Sequence, residues 1–241
     1  MLTVLSLNLA HGRSDSFHQA FLPTAAINGN LGDVGDLLQR IGADVVAVQE
    51  ADGPSVWSGR FDHVAHLATH AGYDWHVRGV HARFPGIVYG TGLLSRRDMT
   101  DTHSLAFRMT PPTIRKGLVV GTVDLHGLAV DVYSVHLDFA RRGARMAQVR
   151  RIVELAQQRG RPVIIAGDLN ADWSPGGATR TLAQALDLHT WRPTQEFPTF
   201  PSMGVRIDWV LVSRSLEIVE HRVLPDRVSD HRAVLVTVKL A

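Results

Sequence analysis

Residues 163–170 read Val-Ile-Ile-Ala-Gly-Asp-Leu-Asn, an apolar run ending in glycine and then two oxygen-bearing side chains, Asp168 and Asn170. The β-branched start has the composition and length of a buried strand. Asp168 and Asn170 are two positions apart, and in an extended segment their side chains would share one face. In open α/β architectures ligands bind beyond the carboxyl ends of strands, so a strand of this kind indicates where a site should be sought.

Other runs end the same way. Leu2–Leu7 leads to Asn8, Asp44–Val48 leads to Gln49 and Glu50, and Val130–Val135 leads to His136 and Asp138. Asp230 and His231 immediately precede a last apolar stretch. If that strand is antiparallel to the others, its start lies on the same rim. Any one Asp or Asn at a strand end is more often a turn former or cap than a catalyst. Weight comes from several ends carrying hard oxygen donors with histidine added.

Strand-like runs cover Thr3–Leu7, Val45–Val48, Gly86–Leu94, Leu118–Asp124, Ala129–Val135, Val163–Ala166, Ile207–Val212 and Ala233–Val238. Leu118–Asp124 and Ala129–Val135 flank a short turn and predict an antiparallel hairpin. Helical spacing links Val34, Leu37, Leu38 and Ile41, with Asp33 as the expected N-cap and Gly42 as the stop. A second stripe, Met146, Val149, Ile152, Val153 and Ala156, ends at Gly160 and Pro162. A third helix is expected near Asp62–Ala71, with Val64, Leu67, Ala68 and Ala71 on one face. Hairpins mixed with strand–helix–strand units predict an α/β fold of mixed sheets covered by helices.

Bulk properties narrow the function classes. The chain has 241 residues, 45% hydrophobic and 20% charged, which suits one domain spanning 1–241 and argues against disorder. With no cysteine, thiolate catalysis, disulfides and Cys-type zinc sites are excluded. A formal charge of +2 argues against a protein that coats long nucleic acids. No apolar run is long enough to cross a bilayer, and Met1–Ala10 reads as a first strand rather than a signal peptide, so a cytoplasmic monomer is expected.

Six segments, in order, resemble the endonuclease/exonuclease/phosphatase (DNase I-like) superfamily of metal-dependent phosphohydrolases: Ser6–Leu9, Val45–Glu50, Tyr133–Leu137, Ile165–Ala171, Arg206–Val210 and Ser229–His231. Each is weak alone, but together they span nearly the whole chain, and Arg145 and Gln148 suit the helix between the third and fourth. The resemblance implies a four-layer αββα sandwich of two mixed sheets. It also implies Mg2+ or Mn2+ bound by Glu50 with Asn8 and Asp230 nearby, and His231 as general base oriented by Asp208. Asp168 and Asn170 would position water and phosphoryl group, while His136 would stabilise the phosphate or protonate the leaving oxygen.

Competing readings exist for single residues. His136 could be a buried structural histidine, and Asp208 could pair with Arg206. Ser229-Asp230-His231 has the residue types of a hydrolase triad, but consecutive residues cannot form that relay and no Gly-x-Ser-x-Gly elbow is present. His63, His66 and His70 are expected to form a solvated face. Arg141, Arg142, Arg145, Arg150 and Arg151 are expected to lie mostly on an exposed helix face, with one or two reaching an anionic substrate. Thr199-Phe200 is a weak candidate for substrate contact.

Substrate class is less legible. Apurinic endonucleases of the superfamily carry a Tyr-x-Pro-Asn type segment where this chain has Tyr133-Ser134-Val135-His136. The histidine form is closer to the DNase, sphingomyelinase and inositol-phosphatase branches, which lowers the DNA-repair reading. A phosphodiesterase of a lipid or small molecule is the first expectation, and a DNA or RNA nuclease the alternative. Thr91 stands where many relatives carry asparagine. A non-catalytic phosphate-binding module is disfavoured because Glu50, Asp168, Asn170, Asp230 and His231 are all present.

Overall fold

A computed structural model describes residues 1–241. In chain order the elements are β1 (Leu2–Asn8), α1 (Thr24–Ile41), β2 (Val45–Gln49), α2 (His63–Ala71), β3 (Trp75–Phe84), β4 (Ile87–Ser95), β5 (Thr100–Ala106) and β6 (Gly117–Leu125). They continue with β7 (Leu128–His136), α3 (Arg142–Arg159), β8 (Val163–Asp168), α4 (Ala178–Ala185), β9 (Leu188–His189), β10 (Asp208–Ser213), β11 (Leu216–Val223) and β12 (Val234–Leu240).

The strands form two six-stranded mixed sheets, ordered β11-β12-β1-β2-β4-β3 and β5-β6-β7-β8-β10-β9. Side chains alternate between the faces of a strand, and the cores follow that period. Val4, Val45, Ala47, Val132, Ile164, Ala166, Val210 and Val236 meet between the sheets. Leu5, Leu7, Val46 and Val48, on the opposite face of the first sheet, pack on α1 and α2. Tyr133, Val135, Ile165, Trp209 and Leu211 pack on α3 and α4. The result is the expected four-layer sandwich of two sheets with helices outside.

The expected hairpin is β6–β7, paired from Gly117↔His136 to Leu125↔Leu128. β12 runs antiparallel to β1, which puts the start of the last strand beside the end of the first. Asp62 caps α2 through two amides, and Gly42, Gly72 and Gly160 end their helices in the left-handed conformation.

Two local readings need correction. α1 begins at Thr24 behind Pro23, so Asp33 is inside the helix and caps nothing. Asn28, Gly29, Asn30 and Gly32 weaken the helical signal, but Ile27 and Leu31 continue the buried stripe and hold the first turns to the sheet. The histidine face on α2 is not uniformly solvated either. His63 is fully buried with its ring donating to Ser58 O at 2.9 Å, while His70 is exposed against Asp36.

Candidate active site

The period of two that builds the intersheet core also builds the site. Stepping from Val4 through Ser6 leads to Asn8, from Val132 through Ser134 to His136, and from Ala166 to Asp168, while Asp208 lies one step before Val210. These four polar residues are therefore the inner-face positions where the apolar core stops. Strand register then gathers them: Asp168 is paired with His136 across the parallel β7–β8 contact and with Asp208 across the antiparallel β8–β10 contact. Gly167 permits this approach, because a Cβ there would lie 1.9 Å from Val135 O. At the end of β1, Ser229 Oγ donates to Asn8 O at 2.7 Å, which draws Asp230 and His231 onto the same rim.

Asp168 is the hub. Asn8 Nδ2 donates to its Oδ2 at 3.0 Å and Asn170 N to its Oδ1 at 2.9 Å. The Asn170 contact corrects the extended-strand expectation. Residue 170 has φ of 47°, so Asp168 and Asn170 are brought together by a turn and do not share a strand face. Asn170 Nδ2 donates to Leu137 O at 3.0 Å, leaving its Oδ1 free of protein partners. Burial raises the Asp168 pKa, reinforced by the Asp208 carboxylate and opposed by His231.

His231 Nδ1 donates to Asp208 Oδ2 at 2.9 Å, and its Nε2 is 3.9 Å from Asp168 Oδ2. Asp208 is fully buried, and its backbone N–H donates to Thr199 Oγ1 at 3.0 Å. Phe200 covers the imidazole at a centroid distance of 4.8 Å. Burial alone would lower the His231 pKa, but Asp208, by charge and hydrogen bond, and then Asp168 and Asp230 push it up to about 10. The alternative partner for Asp208 is absent, since the Arg206 guanidinium turns to Trp191 O and Arg192 O and stacks on Trp209 at 4.0 Å.

His136 is buried but bonds no backbone carbonyl; its partners are Tyr89 and Asp168, and it lines the cavity. The Tyr89 hydroxyl lies 3.0 Å from His136 Nδ1 and accepts a 2.7 Å bond from Lys116 Nζ, which leaves its own proton for the histidine. His136 Nε2 then carries a hydrogen toward Asp168 Oδ2 at 3.4 Å. Burial and, next, the Lys116 charge hold His136 well below its usual pKa, so the ring is neutral.

Glu50 follows β2 with φ of 49° and makes ion-pair contacts but no hydrogen bond to the protein. Its oxygens sit 3.4 Å from His11 Nε2 and 3.5 Å from Lys116 Nζ. Burial would raise its pKa, but His11 and Lys116 hold it well below the usual carboxylate range. His11 is itself anchored by Asp52 Oδ2 at 2.9 Å, an oxygen that also accepts from Trp57 Nε1 at 2.7 Å. Asp230 pairs with Arg13.

Asn8, Glu50, His136, Asp168, Asn170, Asp230 and His231 thus line one cavity of about 520 Å3. Asp208 stands behind it. Arg13, His11, Asp52, Tyr89 and Lys116 join the site without having been singled out in the sequence. Lys116 carried a signal, as one of only two lysines in the chain; the others lie in loops or mid-strand, outside the strand-end pattern. Of Thr199-Phe200, Phe200 lines the cavity, together with Phe139 and Met203, while Thr199 lies behind it and accepts from the Ile207 and Asp208 amides. Thr91 does not reach it; it is buried against His81 Nε2 at 2.9 Å. Of the arginine group, Arg145 binds the carbonyls of Asp138 and Phe139, and Arg142 binds Gly176 O.

The donor set fits a hard divalent cation. Carboxylate and amide oxygens converge without thiolates, and Glu50 is a half-buried carboxylate with no hydrogen-bond donor of its own. Asp168, Asp208 and His231 also present ligand-type atoms within 4.8 Å of one another. Because Asp208 Oδ2 already holds the His231 ring, Asp208 is better described as the residue that orients the imidazole.

A four-layer sandwich with this rim defines a hydrolase of phosphate esters by class. The chain belongs to the endonuclease/exonuclease/phosphatase family, whose model matches residues 5–231. No curated protein sequence matches it. Among solved structures it is similar to an endonuclease/exonuclease/phosphatase from Beutenbergia cavernae, at 22% identity and TM-score 0.78 over 100% of this chain and 72% of the other. It is similar to a mannosyl-6-phosphatase from Bacteroides thetaiotaomicron at 17% identity and TM-score 0.74, covering 99% of each chain. It is also similar to sphingomyelinase C from Streptomyces griseocarneus at 16% identity and TM-score 0.67, covering 98% of each. No helix is long and apolar enough to cross a membrane.

Proposed function

We propose that this chain is a Mg2+- or Mn2+-dependent phosphodiesterase that hydrolyses a P–O bond by attack of a water activated by His231. The observation that carries the reading is the buried Asp208–His231 pair, with the far ring nitrogen presented to a cavity lined by carboxylates. Glu50, Asn8 and Asp230 would hold the cation. When bound, it supplies positive charge to the non-bridging phosphoryl oxygens and offsets the surrounding carboxylates.

His231 Nε2 takes the proton from water, and Asp208 keeps Nδ1 protonated and stabilises the imidazolium that results. A base must be neutral before it acts. The carboxylate charge that raises the His231 pKa is charge that a cation would offset, which reconciles a cationic ring in the bare site with a base in the loaded one. Asp168 and the free Oδ1 of Asn170 position water and phosphoryl group. His136 is neutral with Nδ1 engaged by Tyr89, so it has only an Nε2–H to offer. That hydrogen suits a bond to a phosphoryl oxygen, and the ring is a poor proton donor to the leaving oxygen.

Phe139, Phe200, Met203, Val205 and Ile207 give the cavity an apolar share of its lining alongside the carboxylates. This supports an ester whose alcohol is apolar, such as a lipid or a small aryl or alkyl group, over a polynucleotide. The test is a Mg2+ and Mn2+ screen of bis-p-nitrophenyl phosphate, p-nitrophenyl phosphate, sphingomyelin, phosphatidyl headgroup lipids, plasmid DNA and RNA. Metal-dependent turnover of the aryl or lipid diesters, lost with EDTA and with His231→Gln, is expected. Turnover confined to DNA or RNA would replace the substrate reading, and turnover surviving His231→Gln would remove the mechanism.

A further inference from the structure

Beside the catalytic cavity lies a second one, of about 680 Å3, between α3 and residues 107–111. Phe139 lines the catalytic cavity and Arg141, two residues further on, lines the second. Gly143, Ala144 and Ala147 keep the helix surface low here, so space remains between helix and loop.

The lining is strongly basic. Arg108, Arg141, Arg150 and Arg151 converge against a single acidic residue, Glu154, which is already paired with Arg151. Arg108, Arg141 and Arg150 have no carboxylate partner. α3 points its N-terminus at the same space with no acidic residue in its first turn, although that end of a helix favours negative charge. Asp138 satisfies the amides of Ala140 and Arg141, at 2.9 and 2.8 Å, which leaves the next amides for an outside acceptor.

An independent observation points to a ligand. Gln148 lines this cavity and is only 4% exposed. Its Oε1 accepts from Asp138 N at 2.8 Å, which fixes the orientation of the side-chain amide. Its Nε2, turned the other way, is shielded from solvent and has no acceptor in the protein. A buried N–H without a partner is costly, on the order of 1–3 kcal/mol, and a bound acceptor removes that cost.

We propose that this cavity is a second anion site, taking a phosphate group through the Gln148 amide, the first-turn amides of α3 and the guanidinium groups of Arg108, Arg141 and Arg150. Phe107 and Met109 on the loop side suit a phosphate attached to an apolar or flat group. Because the site abuts the catalytic cavity, the phosphate could belong to the far end of the substrate or to a separate phosphorylated ligand. Both present the same chemistry to these residues.

The test is an NMR titration of the EDTA-treated, nitrogen-15-labelled full chain with inorganic phosphate, comparing wild type with the Arg108→Ser/Arg150→Ser double variant. Both replaced residues are exposed and unpaired, and the amide spectrum reports that the variant is folded. Saturable shifts of the Gln148 side-chain amide and the Gly143 and Ala144 backbone amides are expected, weakened about tenfold or more in the variant. Shifts that do not saturate, or that are the same in the variant, would overturn the proposal. This readout needs no turnover, so its failure is distinct from failure of the hydrolase reading. The source follows from the ratio of kcat/KM for a bisphosphorylated over a monophosphorylated ester. A lower ratio in the variant assigns the site to the substrate's own second phosphate; an unchanged ratio with the titration intact assigns it to a separate phosphorylated ligand.

Discussion

Asp208 Oδ2 lies 2.9 Å from His231 Nδ1, and the carboxylate that makes this contact has no exposure to solvent. The bond fixes both the tautomer and the plane of the ring. Asp208→Asn keeps the volume but offers an amide that can donate to Nδ1 and favour the wrong tautomer. A fall in kcat of roughly 100- to 10,000-fold is expected, with KM little changed. The His231 ring should also titrate lower in the metal-free variant, because the charge that raises it most is gone. A variant with wild-type kcat would remove Asp208 from the mechanism.

Glu50 predicts a metal effect that can be read without turnover. A half-buried carboxylate flanked by His11 and Lys116, with no hydrogen bond of its own, should gain from a divalent cation. Mg2+ or Mn2+ is expected to raise the thermal midpoint, by an amount equivalent to about 2.7 kcal/mol at a hundredfold excess over Kd. The shift should shrink sharply in Glu50→Gln, with activity lost in parallel. An equal thermal shift in the variant would place the cation elsewhere.

Gly167 and Gly29 make opposite predictions for the same substitution. A Cβ at Gly167 would sit 1.9 Å from Val135 O, in the strand pair that aligns His136 with Asp168, and neither backbone can retreat. Gly167→Ala should cost several kcal/mol or prevent folding. Gly29 lies within α1, and a methyl group added there would meet nothing within 4 Å, so Gly29→Ala should stabilise by about 0.5–1 kcal/mol. Urea unfolding of both variants checks the pair.

How legible this molecule is from sequence depends on where a strand sits. The apolar runs correspond to β1, β2, β4, β6, β7, β8, β10 and β12, which are the strands with neighbours on both sides. β11, β3, β5 and β9 escaped, and these are the four sheet edges. An edge strand is half solvated and carries polar residues that discourage further pairing, so Thr100–Ala106 is almost wholly exposed and leaves no apolar trace. The site was legible for a related reason: Asn8, His136 and Asp168 interrupt interior strands, where a polar residue is conspicuous. The roles of Tyr89 and Lys116 were not legible, scarce as lysine is in this chain, because they depend on β4 of one sheet meeting β7 of the other, with Lys116 placed just ahead of β6. The second anion site was hidden too, since helical spacing shows an arginine-rich face but not the loop opposite it.

Acid sensitivity should follow from His81. It is buried on β3 with Nε2 bonded to Thr91 Oγ1 at 2.9 Å and no partner for Nδ1. Burial, and then the Lys116 charge, hold its pKa at about 3, against 6.5 for an ordinary histidine. Between these values the unfolded chain binds a proton that the folded chain does not, so stability rises with pH across this window. The contribution is fully present above about pH 6.5 and is lost as pH falls toward 3, amounting to a few kcal/mol at most. Urea unfolding free energies should therefore fall from pH 7 to pH 4 in wild type and fall less in His81→Asn. Parallel slopes for the two proteins would show that His81 does not set the acid limb.

Tyr89 connects the acid–base state of His136 to a cation it does not touch. Lys116 donates to the hydroxyl oxygen at 2.7 Å, so the hydroxyl hydrogen goes to His136 Nδ1, and the histidine is left with its only hydrogen on Nε2, facing Asp168. Tyr89→Phe deletes the oxygen and breaks both bonds. His136 can then exchange tautomers, and Lys116 loses its nearest acceptor and is left with Glu50 at 3.5 Å. If His136 holds a phosphoryl oxygen through Nε2–H, kcat should fall about 10- to 100-fold. Nitrogen-15 NMR of the ring should show the single Nε2–H tautomer of the wild type giving way to a mixture. His136→Asn, which can still offer an N–H, should recover part of the rate lost in His136→Ala. A Tyr89→Phe variant with one tautomer and full activity would mean that the hydroxyl serves packing alone, and the path from Lys116 to His136 would have no catalytic consequence.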